Sequence, residues 1–236
     1  MDTSDFSAVV LAAGNGSRMR IHENKNFYNV NGKPILSYTI KAIIEAGIEE
    51  IIIVTNRNDI PRCQEIVDEY GFEGVEIVPG GSQRYDSAEA GISRVSKPYV
   101  LINDGARPLV TPDIIKRCME GAYRYHACVA AVPVKDTIKI QSPVVEAGDD
   151  PQIAATPQRS LLWQAQTPQA FKTDVIREAY RRAYESNAID RMTDDCQAVE
   201  RMGHRVHLIE GDYTNIKITE MNDVIFAEAI IKKRMG

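Results

Sequence analysis

The chain has 236 residues, 44% hydrophobic and 26% charged, with 28 Lys and Arg against 33 Asp and Glu for a formal net charge of −5. That length supports one sizeable core or at most two small domains, and no apolar run approaches the ~20 residues of a membrane span. Net acidity without a basic stripe argues against nucleic acid as a partner, and Met1-Asp2-Thr3-Ser4-Asp5 lacks the basic and apolar parts of a secretion signal, so a cytoplasmic location is expected.

The first predicted element is a strand at 8–11, inside the apolar run 6–11, and it exits into Ala12-Ala13-Gly14-Asn15-Gly16-Ser17-Arg18-Met19. Two glycines let the backbone turn sharply and bring N–H groups to phosphate oxygens, while Arg18 adds a permanent, fork-shaped charge. The pattern suits a nucleotide triphosphate, and it also suits a ligand-free strand-exit turn. A dinucleotide fingerprint is excluded, because Met19 replaces the third glycine and Thr55-Asn56 replace the acid after the second strand. No Gly-Lys-Ser/Thr of a P-loop is present. Arg18, Arg20, Lys25 and Lys33 cluster along this stretch as candidate contacts for a small anion.

Beyond the loop, helical runs at 35–45, 59–70, 87–95, 114–125 and 174–184 alternate with strands at 50–55, 75–78, 99–103, 128–132 and 205–209. This is the signature of a mostly parallel sheet covered on both faces, whose ligands sit at the carboxyl ends of the strands. After the third strand comes Gly80-Gly81-Ser82-Gln83-Arg84-Tyr85-Asp86-Ser87, which presents free N–H groups and hydroxyls to a base or ribose, or simply caps the next helix. After the fourth, Asn103-Asp104-Gly105-Ala106-Arg107-Pro108 places an acid and a base three residues apart. The pair fits a ligand hydroxyl and phosphate, or only stiffens the turn.

Residues 133–157 break the rhythm with four prolines and the turn Gly148-Asp149-Asp150, flanked by 137–140 and 153–154 like the sides of a hairpin. This reads as an arm projecting from the sheet domain. Near the end, Lys217 lies between Ile216 and Ile218, so its ammonium should point away from the core they enter, toward a phosphate. The last helix starts near Asn222. Cys63, Cys118, Cys128 and Cys196 are too widely spaced for a zinc site, and His204 with His207 should lie on opposite faces of a strand.

Six motifs in order resemble the CTP:sugar-alcohol-phosphate cytidylyltransferases, and most closely the 2-C-methyl-D-erythritol 4-phosphate cytidylyltransferase family. They are Ala12 to Met19, Gly80-Gly81 with Arg84 and Ser87, Asp104 to Pro108, Val132 to Thr137, Gln166-Thr167-Pro168-Gln169 and Asn215 to Thr219. The resemblance implies a Rossmann-like α/β fold of the nucleotide-diphospho-sugar transferase type. It implies a single domain over 1–236, with 134–157 as a β-arm that joins a homodimer. It further implies transfer of CMP from CTP to 2-C-methyl-D-erythritol 4-phosphate with release of pyrophosphate, and Mg2+ carried mainly by the phosphates.

By the same resemblance Arg18 and Lys25 are the catalytic pair on the triphosphate. Ala12, Ala13, Gly14, Asn15, Gly16, Gly80, Gly81, Ser82, Ser87 and Asp104 line the CTP site. Asp104, Arg107, Thr137, Arg159, Thr167 and Lys217 hold the sugar phosphate, and no residue is assigned as a metal ligand. Three positions depart from the family pattern: Asn24-Lys25-Asn26-Phe27 replaces Pro-Lys-Gln-Tyr/Phe, Asn103 stands where histidine is frequent, and Glu220-Met221-Asn222 replaces a segment that often holds proline. The alternatives are a ribitol 5-phosphate cytidylyltransferase, against which Ala13 and Gly105-Ala106 speak, and a non-catalytic nucleotide-binding relative, against which the retention of Arg18, Lys25 and Lys217 speaks.

Overall fold

The structure is a computed structural model that describes residues 1–14, 19, 23–143 and 150–235. Asn15, Gly16, Ser17, Arg18 and Arg20 therefore lie outside the described residues. In chain order the elements are β1 (Phe6–Leu11), β2 (Asn29–Val30), β3 (Lys33–Pro34), α1 (Ile35–Glu45), β4 (Glu50–Thr55), α2 (Ile60–Tyr70), β5 (Val75–Pro79) and α3 (Arg84–Arg94). There follow β6 (Tyr99–Asp104), α4 (Pro112–Tyr125), β7 (Ala127–Pro133), β8 (Ile140–Gln141), β9 (Ile153–Ala155), β10 (Trp163–Lys172), α5 (Thr173–Glu185), α6 (Cys196–Arg201), β11 (His207–Glu210) and α7 (Met221–Met235).

Seven strands form one sheet in the order β11-β7-β10-β6-β1-β4-β5, parallel except for β10, which runs antiparallel to both its neighbours. β1, β4 and β6 alternate strictly between two cores. Phe6, Ala8 and Val10 of β1, Ile51 and Ile53 of β4 and Leu101 of β6 enter the layer covered by α1, α2 and α4. Val9, Ile52, Val54, Val100 and Ile102 enter the layer under α3, α5 and α6. With a strand period of two, both faces are apolar because both are covered, and each fully buried Ile contributes about 2 kcal/mol of transfer free energy. A third cluster, with Met19, Val30, Ile35, Leu109, Ile218, Val224 and Ile231, seats α7 against the start of α1.

Helix ends follow local chemistry. Thr111 accepts from the Ile114 N–H to start α4, with Pro112 in the first turn, and His126 at φ 68° ends it. Gly71 at φ 63° ends α2. α3 starts three residues before its expected position, because Asp86 reaches back to accept from the Gln83 N–H at 3.1 Å. It also packs unusually close to the sheet: a Cβ on Gly91 would lie 2.4 Å from Val9 Cγ1. That close approach holds the first turn of α3 over the carboxyl ends of β1 and β4.

The sequence reading missed β10, the strand between β6 and β7. Its pairing with β7 shifts register between Ala165 and Gln169, so the run shows no clean alternation. The expected arm hairpin is present as β8 paired antiparallel with β9, although it is shorter than expected. His207 stacks on Tyr125 with ring centroids 3.9 Å apart, all four cysteines are buried and free, and no metal-binding group of three or more His, Cys, Asp or Glu occurs among the described residues. No helix among the described residues is long and apolar enough to cross a membrane.

Candidate active site

The carboxyl ends of β1, β5 and β6 open into a cavity of about 340 Å³. Three segments wall it. The first is the exit of β1, where Ala13 and Gly14 meet the 3-10 turn Lys25–Phe27. Here the two asparagines that depart from the family pattern explain the path of the chain. Asn24 donates to the Ala12 carbonyl at 2.6 Å and to Asp59 Oδ2 at 3.0 Å. Asn26 donates to the same carbonyl at 3.1 Å and to Asn24 Oδ1 at 2.8 Å, and its own N–H also reaches Asn24 Oδ1 at 3.1 Å. Both side chains are buried, so this clamp fixes Lys25 against the end of β1.

The second wall is the turn after β5 with the first turn of α3. The Gly80 N–H donates to the Thr55 carbonyl at 2.7 Å. A Cβ on Gly80 would meet Ser87 Oγ at 2.6 Å and Ala13 Cβ at 3.2 Å, so the two glycine segments touch only because this position has no side chain. Gly81, Ser82, Gln83, Arg84 and Ser87 line the cavity. The Ser82 hydroxyl donates to Asp86 Oδ2 at 3.1 Å and the Ser87 hydroxyl to the Gln83 carbonyl at 3.2 Å.

The third wall is a charge cluster at the end of β6. Asp104 is only 7% exposed and stands among three cations: Lys217 Nζ at 2.9 Å, Arg107 Nε at 3.7 Å and Arg84 Nε at 4.0 Å. Burial alone would raise its pKa, but the fields of Lys217, Arg84 and Arg107 outweigh it and hold the carboxyl well below the usual carboxylate range. Arg107 is itself buried, which lowers its pKa, and its Nη1 donates to the Asn215 carbonyl at 2.6 Å. Lys217 turns toward the cavity while Ile218 enters the core, as its place between two isoleucines predicts.

Arg84 belongs to the Gly80–Ser87 motif, where the resemblance gives it no site role, and it lines the cavity. Its guanidinium makes a two-bond pair with Asp195, at 2.9 and 2.7 Å, and the Tyr180 hydroxyl donates to Asp195 at 2.6 Å. Burial opposes the charge on Arg84, and Asp195 more than restores it, so its pKa lies above the ordinary arginine range. Asp195 is fully buried and 111 residues from Arg84, so no local spacing could have announced the pair.

The other expected residues divide into three groups. Ala13, Gly14, Lys25, Gly81, Ser82, Ser87, Asp104 and Lys217 line the cavity together. Ala12, Gly80, Arg107 and Thr167 stand behind its walls: the Ala12 carbonyl anchors both asparagines, and the Asp104 N–H donates to Thr167 Oγ1 at 3.0 Å. Thr137 and Arg159 are exposed near the arm and outside the cavity, with Arg159 donating to the Lys135 carbonyl at 3.1 Å. Lys33, grouped by sequence proximity with Arg18, Arg20 and Lys25, lines a different cavity, because the β2–β3 hairpin turns it away.

A sequence model of the 2-C-methyl-D-erythritol 4-phosphate cytidylyltransferase family matches residues 6–233. Similar proteins of that description include one from Lachnospira eligens, 44% identical over 230 residues and spanning 96% of this chain and 99% of the relative. Another, from Caldanaerobacter subterraneus subsp. tengcongensis, is 46% identical over 234 residues, spanning 97% and 100%. Among solved structures, the 4-diphosphocytidyl-2C-methyl-D-erythritol synthase of Anaerococcus prevotii superposes with a TM-score of 0.83 at 30% identity, covering 98% of this chain and 100% of that one. The 2-C-methyl-D-erythritol 4-phosphate cytidylyltransferase of Thermus thermophilus gives 0.78 at 29%, covering 96% and 98%.

Proposed function

The chain belongs to the 2-C-methyl-D-erythritol 4-phosphate cytidylyltransferase family, and from that premise we propose how its site carries out the reaction. It is a CTP-dependent nucleotidyltransferase that moves CMP from CTP to 2-C-methyl-D-erythritol 4-phosphate, forming 4-diphosphocytidyl-2-C-methyl-D-erythritol and pyrophosphate. A phosphate oxygen of the sugar phosphate forms the new bond to the α-phosphorus of CTP. The bond from that phosphorus to the bridging oxygen breaks, and pyrophosphate leaves with the electron pair.

The attacking oxygen is already ionised at neutral pH, so the site needs no strong general base. It needs placement and positive charge around an in-line displacement. Lys25 lies at the cavity end where the triphosphate enters from Gly14, and the family resemblance gives Arg18 a triphosphate contact as well. The turn from Gly80 to Ser87 receives the cytidine, with Arg84 held rigid behind it by Asp195. Lys217 offers its ammonium to the sugar phosphate, with Asp104 keeping it oriented, while Arg107 and Thr167 brace Asp104 from behind. The observation that carries the reading is this cluster, in which one ionised carboxylate stands among three cations at the end of β6.

Asp104 is the one carboxylate on the cavity wall among the described residues, and it is already committed to those cations. The residues therefore fit a magnesium ion carried by the phosphates and water rather than by a protein cage. An ion held in that way would supply positive charge to the phosphates.

Exposed apolar side chains on and beside the arm support a homodimer joined through 134–157: Ile138, Ile140, Ile153 at 63%, Leu161 at 72% and Trp163. On that reading Thr137 and Arg159 reach the site of the partner subunit, which accounts for their distance from the cavity of their own. The activity is tested by incubating the protein with CTP, magnesium and either 2-C-methyl-D-erythritol 4-phosphate or ribitol 5-phosphate and measuring pyrophosphate. Release with the first substrate is expected. No release with either defeats the enzyme reading, and preference for the second reverses the substrate.

A further inference from the structure

Behind the turn that carries Asp104 and Arg107, between α1 and α7, lies a second cavity of about 470 Å³, larger than the first at about 340 Å³. Tyr38, Tyr70, Pro108, Val110, Pro112 and Ile231 give it an apolar wall. Lys33, Lys41 and Arg234 line it as well, against a single carboxylate, Glu45, which pairs with Lys41 at 3.6 Å. No ion pair among the described residues engages Lys33 or Arg234, although the field of Arg234 reaches Asp212, so the lining of this apolar hollow carries three cations against one carboxylate. Aromatic walls with a few convergent cations suit a small amphipathic anion.

The cavity is also wired to the reaction site. Arg234 Nη1 donates to the Leu109 carbonyl at 3.0 Å and Nη2 to Thr214 Oγ1 at 2.9 Å. One guanidinium thus holds together the segment after Arg107 and the segment before Lys217. The Thr39 hydroxyl, on the helix that forms one wall, bonds the Gly105 carbonyl at 3.0 Å and the Arg107 carbonyl at 3.2 Å. The Ile218 N–H donates to the Ala106 carbonyl at 2.8 Å, closing the circuit between the two segments.

We propose that this cavity is a second ligand site, for a small anion carrying a phosphate, sulfonate or carboxylate on an aromatic or branched apolar body, and that its occupant adjusts the Asp104–Lys217 pair through Arg234. An anion on Arg234 competes with the bonds to Leu109 and Thr214, which lets the two segments shift relative to each other. The binding claim goes beyond the assigned reaction and does not depend on it.

The probe is 1-anilinonaphthalene-8-sulfonate, a sulfonate on an aromatic body, titrated by fluorescence with and without excess CTP. The expected result is saturable binding of one probe per chain that persists with CTP. It should weaken about tenfold in the double variant Lys33→Glu/Lys41→Glu, since two exposed charges are reversed. Thermal unfolding confirms that the variant is folded. Absence of saturable binding, displacement by CTP, or equal affinity in the double variant overturns the site. A probe-dependent change in KM for the sugar phosphate supports the coupling, and bound probe with unchanged KM and kcat overturns it.

Discussion

The charge cluster at the end of β6 and the projecting arm are given the same ligand by family resemblance, yet they hold their side chains in opposite ways. Asp104, Arg107 and Thr167 are buried and locked by contacts within one chain, and Lys217 is held at 2.9 Å from Asp104. Thr137 and Arg159 are exposed beside apolar side chains that face solvent. Burial makes the first set rigid without help. The second set gains a fixed geometry only when another surface covers it, so under the proposed dimer two of the six expected sugar-phosphate residues depend on assembly.

Several substitutions test that division. The largest effect is expected for Lys25→Ala, which should lower kcat about 10³-fold, as for a removed group that stabilises developing charge, while changing unfolding free energy by less than ~1 kcal/mol. Unchanged turnover would remove Lys25 from the mechanism. Arg159→Ala should raise KM for the sugar phosphate about tenfold or more with no change in Tm, and a Tm loss would show that the arm is structural within one chain.

Asp195→Asn should destabilise the fold by about 3 kcal/mol in urea unfolding, because it leaves Arg84 and Tyr180 short of their shared partner. It should also raise KM for CTP, whereas a purely stabilising role leaves KM unmoved. Asn24→Ala should lower kcat roughly tenfold with a modest loss of stability, since it releases the Lys25 turn from Ala12 and Asp59.

The smallest effect concerns pH. Asp104 has a folded pKa depressed below its ordinary 3.8, so the stability it contributes is fully present above that value and is lost only as the pH falls through the folded pKa. Acid unfolding of Lys217→Met should therefore begin at higher pH than that of the parent chain. Coincident acid transitions would contradict the charge cluster.

Much of this was legible in the sequence because β1, β4 and β6 alternate strictly between two cores and the turns after β1, β5 and β6 carry glycines or an acid. β4 and α1 fall where periodicity predicts, and the turns after β1, β5 and β6 do converge. What escaped was non-local. β10 hides because its register shift interrupts alternation, and Asp195 because a buried pair spanning 111 residues leaves no spacing to read. Asn24 and Asn26 depart from the family pattern and so leave the path of the Lys25 loop open in the sequence, and the structure shows them as its anchor. Lys33 was close to Lys25 in sequence and is directed elsewhere by a two-residue turn.

The divided site is tested most directly by mixing subunits. Lys25→Ala and Arg159→Ala chains are each purified and assayed at sugar phosphate well below KM, where the first should be nearly inactive and the second about tenfold down, then unfolded and refolded together before pyrophosphate release is measured under the same conditions. If the arm completes the partner's site, mixed dimers contain one site with both defects and one with neither. Random pairing then returns activity to about one quarter of the parent level. If each arm serves its own chain, every site in the mixture carries a defect and activity stays at the level of the separate variants.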